Sequence, residues 1–339
     1  MGKMGCYLFA VFFVLLCNEV KPQTVNELKK ETWADRGDVF GVIFANFHSD
    51  LKNEETERGF EVKRAYLGYK TKLDDHFSAN IKLDIGSPDD VSEYSLKKRF
   101  AYFKNAYVQY KIGKFSTQVG ISDCQQFKVQ EKFWGYRYIY QSFQDVNKFG
   151  PSADMGVLFD YVFSDKISLD ASFLNGEGYN QIQTDEDFKT SIGATYTPFK
   201  QLTLRLYYDS GIAYRYNQSD LAGFVGVKFD KFSLGGEYNH QWNNKAKENH
   251  RMYGYSFFGT YQLASKFKLF GRYDHLFSNT LEGEINPWNL SNDGSSVISG
   301  IEYTPIKNAQ IAINYQDKIA YAENGTDLHY VYVNLQFNF

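Results

Sequence analysis

Between Asp123 and Pro151 the cations Lys128, Lys132, Arg137 and Lys148 are interleaved with Phe127, Phe133, Trp134, Tyr136, Tyr138, Tyr140 and Phe143, against the acids Glu131 and Asp145. Basic side chains held in place by rings do not break bonds; they attract and sort anions, and a guanidinium such as Arg137 can grip one with two parallel hydrogen bonds. Arg137 is the cation most deeply set among the rings. A second group of charges follows a two-residue rhythm. Lys82, Asp84, Asp170, Arg205, Glu237, Arg272, Asp274 and Glu302 all occupy the polar positions of segments that alternate apolar and polar residues. Alternation of this kind turns every second side chain to one side of a strand, so these charges share one wet face. Their signs are mixed, each basic position having an acidic neighbour of the same parity. A network that stiffens the wall fits them as well as a path for solutes does.

Sets that would support covalent chemistry are missing. His48, His76, His240, His250, His275 and His329 fall on separate strands and turns without an acid and a nucleophile beside them. Neither a paired-histidine metal motif nor a glycine-rich phosphate loop occurs, so no catalytic residue, metal or cofactor is expected. His240 and His250 flank one loop and form a weak metal candidate. The formal net charge of −3 gives no footprint for nucleic acid.

The elements that must position these charges are strands. Phe77, Ala79, Ile81, Leu83 and Ile85 alternate with Ser78, Asn80, Lys82 and Asp84, and Leu202, Leu204, Leu206 and Tyr208 with Thr203, Arg205, Tyr207 and Asp209. Seven tight turns are legible, at 74–76, 112–114, 164–166, 198–200, 230–231, 264–266 and 305–308. Eight longer polar connections lie between them, near 49–58, 87–98, 123–151, 175–187, 210–220, 241–250, 278–296 and 318–327, which makes sixteen strands. Aromatics bracket the tight turns: Tyr69 with Phe77, Tyr110 with Phe115, Tyr196 with Phe199, Phe229 with Phe232, and Tyr261 with Phe267. Aromatic residues make up 18% of the chain, as interfacial belts require. Mean hydropathy is −0.46, which a barrel with a polar lumen tolerates. The fold class is therefore all-β: a transmembrane, antiparallel, up-and-down β-barrel of sixteen strands.

Both ends fit that reading. A basic start at Lys3, an apolar run over 7–17 and a polar sequel predict a secretory signal peptide over 1–23, followed by a periplasmic segment over 24–37 and a barrel over 38–339. Cys6 and Cys17 fall in the leader, so Cys124 is left without a partner for an internal disulfide. The last residues, 331–339, alternate without a slip and finish on Phe337 and Phe339, in the manner of the assembly signal of bacterial outer-membrane barrels. One internal echo stands out: 192–198, with Tyr196-Thr197-Pro198, and 299–305, with Tyr303-Thr304-Pro305, read as hairpins of one design. A proline is tolerated where a ladder is already turning.

Segments 59–70, 106–110, Gly150-Pro151-Ser152-Ala153-Asp154-Met155-Gly156-Val157, 175–178 and Phe270-Gly271-Arg272-Tyr273-Asp274 resemble, in order, landmarks of the phosphate-selective porin O and P family. The resemblance spans roughly 38–339. It implies a sixteen-stranded outer-membrane porin, usually a homotrimer, that admits small hydrophilic solutes or anions and meets outer-membrane lipid and the barrel-assembly machinery. Where the family often has Arg beside Asp, this chain has Ala153 beside Asp154, which weakens the phosphate-selective part of the analogy. In such porins the third long loop often enters the lumen, and the aromatics of about 123–151 give it reason to pack there. Lys128, Lys132, Arg137 and Lys148 are then the constriction candidates, and Lys82, Asp84, Arg205, Glu237, Arg272, Asp274 and Glu302 the lumen wall. The offsetting wall charges lead us to expect only mild ion preference, set chiefly by Arg137 and Lys132. A non-conducting adhesin or structural barrel is the alternative, and an outer-membrane hydrolase a weaker one.

Overall fold

The computed structural model describes residues 37–51, 58–86, 100–183, 186–211, 217–283, 290–322 and 325–339. The expected leader, and all of the expected periplasmic segment but Gly37, lie outside the described residues. Sixteen strands follow in chain order: β1 (Gly37–Asp50), β2 (Arg58–Lys72), β3 (Phe77–Ile85), β4 (Ala101–Ile112), β5 (Phe115–Asp123), β6 (Ala153–Val162), β7 (Ile167–Leu174), β8 (Lys189–Phe199), β9 (Leu202–Gly211), β10 (Ser219–Lys228), β11 (Phe232–Trp242), β12 (Arg251–Ala264), β13 (Phe267–Ser278), β14 (Gly294–Ile306), β15 (Ala309–Ala320) and β16 (Leu328–Asn338). Two short helices, α1 (Lys128–Trp134) and α2 (Phe143–Val146), interrupt the connection from β5 to β6. Every strand pairs antiparallel with its neighbours in sequence, and β1 pairs with β16, so the barrel is closed and has no free edge.

Alternation in the sequence becomes inside and outside in the wall. On β9, Arg205 and Tyr207 are 5% and 3% exposed, whereas Leu206 and Tyr208 are 60% and 45% exposed. Val39, Ile81, Val119, Ile192, Val225 and Phe257 stand out on the same outer surface. So continuous an apolar exterior suits hydrocarbon, where a closed barrel satisfies its whole backbone internally. All seven tight turns and all eight long connections fall where the sequence places them. At the tight-turn end Phe77 meets Tyr110 at 5.0 Å between ring centroids, Phe229 meets Phe232 at 4.8 Å and Phe267 meets Tyr303 at 4.9 Å, the makings of one interfacial girdle.

The internal echo is a shared β-bulge. Pairing steps from Tyr196↔Leu204 to Phe199↔Leu202 in one hairpin, and from Tyr303↔Ile311 to Ile306↔Ala309 in the other. Each bulge takes up one extra residue, and Pro198 or Pro305 sits in the skipped stretch, where no ladder donor is needed.

Candidate functional site: the passage beside the third long loop

The loop from Cys124 to Ser152 lies against inward-facing side chains of the wall. Trp134 packs edge-on to Phe258 at 5.6 Å and Phe270 at 6.3 Å, Tyr136 stacks on Phe270 at 4.5 Å, and Phe133 meets Phe224 at 5.3 Å. Phe44 of β1 and Ile298 of β14 complete this core. The rings that read as a packing signal in the sequence thus bury themselves on β10 to β14 and β1. Gly135, at φ 73°, ends α1 in the left-handed conformation that a glycine adopts without strain.

Polar contacts hold the same surface. Tyr138 Oη donates to Glu302 Oε2 at 2.8 Å, Gln144 Nε2 to Glu237 Oε2 at 3.1 Å, and Asn334 Nδ2 to the Tyr138 carbonyl at 3.4 Å. Arg205 clamps Asp170 with two hydrogen bonds, at 2.7 and 3.0 Å, and donates to the Gln125 carbonyl at 2.8 Å. Arg272 forks onto Asp274 at 2.8 and 2.6 Å, donates to the Gln141 carbonyl and lies over the Trp134 ring at 5.2 Å. Arg205, Glu237, Arg272, Asp274 and Glu302 do face inward, as parity predicts, yet they are only 4–5% exposed. They lie beneath the loop or beside its anchors, and their charges are spent on one another and on it.

The opposite wall stays open. A space of about 350 Å3 is bounded by Tyr66, Lys82, Lys104 and Asp123 on β2 to β5 and by Lys128, Glu131, Lys132 and Arg137 on the loop. Lys82 and Asp123 are 3.6 Å apart, and Asp84 is held by Arg64 at 3.5 Å and by the Tyr179 hydroxyl at 2.8 Å. Arg137 is ion-paired with both Glu131 and Asp145, tying the end of α1 to α2. Burial acts to raise the Asp145 carboxyl, but the Arg137 guanidinium outweighs it and holds that carboxyl below the usual carboxylate range. Among the described residues no carboxylate lies within ion-pairing distance of Lys104, Lys128 or Lys132. Of the loop cations expected at the constriction, Lys128, Lys132 and Arg137 line the space. Lys148, at φ 57° on the exposed return of the loop, is not among its lining residues.

Sequence parity missed two inward lysines for one physical reason. Pairing steps from Lys82↔Asn105 to Leu83↔Phe103, so Lys104 is the extra residue of a bulge; it steps from Phe44↔Arg64 to Ala45↔Val62, so Lys63 is another. A bulge re-aims its extra side chain, and strict alternation assigns such a residue the wrong face. Lys104 lies 4.2 Å over the Tyr179 ring and bonds Ser152, while Lys63 Nζ donates to the Ile139 carbonyl at 3.3 Å. Lys189, Asp209 and Asp220 have the correct parity but were not singled out by any motif.

A closed sixteen-stranded barrel with an apolar exterior and a loop laid on its inner wall defines an outer-membrane porin. The chain belongs to the phosphate-selective porin O and P family, whose sequence model matches residues 39–254. Solved structures share the fold. OmpF of Salmonella typhi, in complex with daunomycin, is similar with a TM-score of 0.69 at 12% identity, over 89% of this chain and 97% of that one. OmpT of Vibrio cholerae is similar with a TM-score of 0.62 at 12% identity, over 89% and 97%. A porin refined at 1.8 Å is similar with a TM-score of 0.58 at 12% identity, over 89% and 100%. By sequence, no curated protein matches this chain.

Proposed function

We propose that the protein is a non-enzymatic channel through which small hydrophilic solutes diffuse passively, crossing the space between the third long loop and β2 to β5 with a mild preference for anions. The observation that carries this reading is the charge around that space. Lys82, Lys128, Lys132 and Arg137 face it against Asp123 and Glu131, and among the described residues no carboxylate lies within ion-pairing distance of Lys128 or Lys132. A ring with excess positive charge favours anions. The preference stays mild because Lys82 and Arg137 are paired, and opposed charges within a Debye length of about 8 Å largely offset one another's field. Discrimination for phosphate, which belongs to the family's name, gains nothing from Ala153, which is 0% exposed where relatives often carry Arg. Asp154 beside it accepts the Met155 and Gly176 amides at 2.7 and 2.8 Å, a structural use.

Export by a cleaved leader, insertion by the barrel-assembly machinery through Phe337 and Phe339, contact with outer-membrane lipid and assembly as a homotrimer complete the proposal. Reconstitution of the purified protein into a planar bilayer tests it. Stepwise conductance with a reversal potential displaced modestly toward the anion limit in a salt gradient supports diffusion. Folded protein that inserts but never conducts supports the adhesin or structural alternative, and block by micromolar phosphate shows the preference to be strong.

A further inference from the structure

The outer wall is not apolar throughout. On β11 to β14, near the long connections, register sets Trp242 opposite Arg251, His240 opposite Tyr253, Tyr255 opposite His275 and His275 opposite Ser295, all on the outward face. Rings and hydroxyls knit together there. His240 stacks on Trp242 at 4.2 Å and on Tyr253 at 5.5 Å, and His275 stacks on Tyr255 at 5.5 Å. Ser295 Oγ lies 2.7 Å from His275 Nδ1, 3.1 Å from Tyr273 Oη and 3.0 Å from Tyr321 Oη. His275 is 7% exposed, yet its Nε2, the far atom of an outward-pointing ring, has no hydrogen-bond partner. Tyr321, edge-on to that ring at 5.3 Å, is its outer cover. Arg251 is exposed at the rim, and among the described residues no carboxylate lies within ion-pairing distance of it. On the other side of the barrel the outward positions near the long connections are Val62, Phe103, Met155 and Phe173.

Nearer the tight turns the same strands open an apolar groove of about 420 Å3, bounded by Phe232, Leu234, Gly259, Tyr261, Leu269 and Gly271. Gly259 pairs with Gly271, so two adjacent outward positions carry no side chain. Gly259 lies eight residues along β12 from Arg251, about 27 Å of strand and about 20 Å of depth at the usual tilt of a barrel strand. Half of a hydrocarbon core is about 15 Å deep. Groove and belt are thus spaced like the tail and the headgroup of one lipid. We infer that this face holds an outer-leaflet glycolipid with a phosphorylated headgroup, one acyl chain lying in the groove and a phosphate gripped by Arg251. Tyrosine and tryptophan belong where rings meet headgroups, and a guanidinium favours a phosphate over a neutral sugar. When Tyr321 turns aside, a headgroup hydroxyl supplies the partner that His275 Nε2 lacks. The apolar wall of a second copy would offer nothing to these polar groups. The inference rests on the reading of the protein as an outer-membrane channel whose long connections face outward.

Native mass spectrometry of the detergent-folded barrel, mixed with purified lipopolysaccharide, tests the seat, and the same lipid dephosphorylated is the second probe. The wild type should keep a single lipopolysaccharide under activation that strips detergent, and should prefer it about tenfold over the dephosphorylated form, the worth of one charge-assisted hydrogen bond. Arg251→Gln should lose that preference. Gly271→Leu fills the groove without a backbone clash, since a Cβ there would have the Ile298 carbonyl at 3.7 Å as its nearest neighbour, and should lower occupancy by both probes. Equal retention by wild type and both variants overturns the seat, and so does a wild type that holds the two probes alike. If Gly271→Leu does not fold, as heat-modifiable mobility would show, Arg251→Gln decides alone. Planar bilayers keep this separate from the channel reading. A folded barrel that retains the lipid but never conducts upholds the seat and removes diffusion, whereas a conducting wild type that sheds lipopolysaccharide as readily as the variants does the reverse.

Discussion

The Tyr138 hydroxyl donates a 2.8 Å hydrogen bond to Glu302, joining the loop to β14 across 164 residues of sequence. Both side chains are buried, so neither can turn to water instead. Tyr138→Phe removes the donor and leaves the carboxylate with Lys268, at 3.6 Å, as its remaining ion-pair partner. Stranding a buried acceptor costs about 1–3 kcal/mol. The variant should unfold at a lower temperature on semi-native gels and show noisier open-channel current, and unchanged values of both would mean that this bond does not seat the loop.

Lys128 and Lys132 face the passage and are exposed, and among the described residues no carboxylate lies within ion-pairing distance of them. Lys128→Glu with Lys132→Glu should move the reversal potential in a salt gradient toward cations while leaving heat-modifiable mobility intact. Arg137 is a poorer probe of selectivity. Because it neutralises Glu131 and Asp145, Arg137→Glu gathers three carboxylates in one turn of the loop and should alter the size and steadiness of the current as well as its sign. A double lysine variant with wild-type ion preference would place the selective charges elsewhere.

Thiol labelling checks the orientation. A cysteine at Glu282, exposed in a long connection, should react with an impermeant maleimide on whole cells, and one at Asp165, exposed in a tight turn, should not. Native Cys124 should interfere little: it is 6% exposed, and burial pushes its thiol up to about 12, so little thiolate forms near neutrality. The opposite labelling pattern would invert the barrel.

Phe339 closes the cylinder. Its backbone exchanges two hydrogen bonds with Gly41, at 2.8 and 3.0 Å, and its ring occupies the space where a Cβ on Gly41 would stand, 2.2 Å from the nearest ring atom. Deleting Phe339, or replacing Gly41 with Ala, should therefore lower the yield of folded barrel in the outer membrane without reducing synthesis or export. Full membrane yield from both variants would show that neither the ring nor its seat matters for assembly.

Sequence alone determined the strands, their number and which rows face inward, because these follow from local chemistry: a two-residue alternation, turn residues between runs and an aromatic at each turn. That logic placed Arg205, Glu237, Arg272, Asp274 and Glu302 on the inner wall. It was blind to bulges, which is why Lys104 and Lys63, each the extra residue of one, went unassigned. Only the tertiary structure decided which half of the wall the loop covers, because that depends on Trp134 reaching Phe258 and Phe270, and Tyr138 reaching Glu302, contacts between residues more than a hundred positions apart. The same packing separates charges that look equivalent in sequence. Beneath the loop Arg272 and Glu302 hold structure, while Lys128 and Lys132, on the loop's other side, are left facing open space.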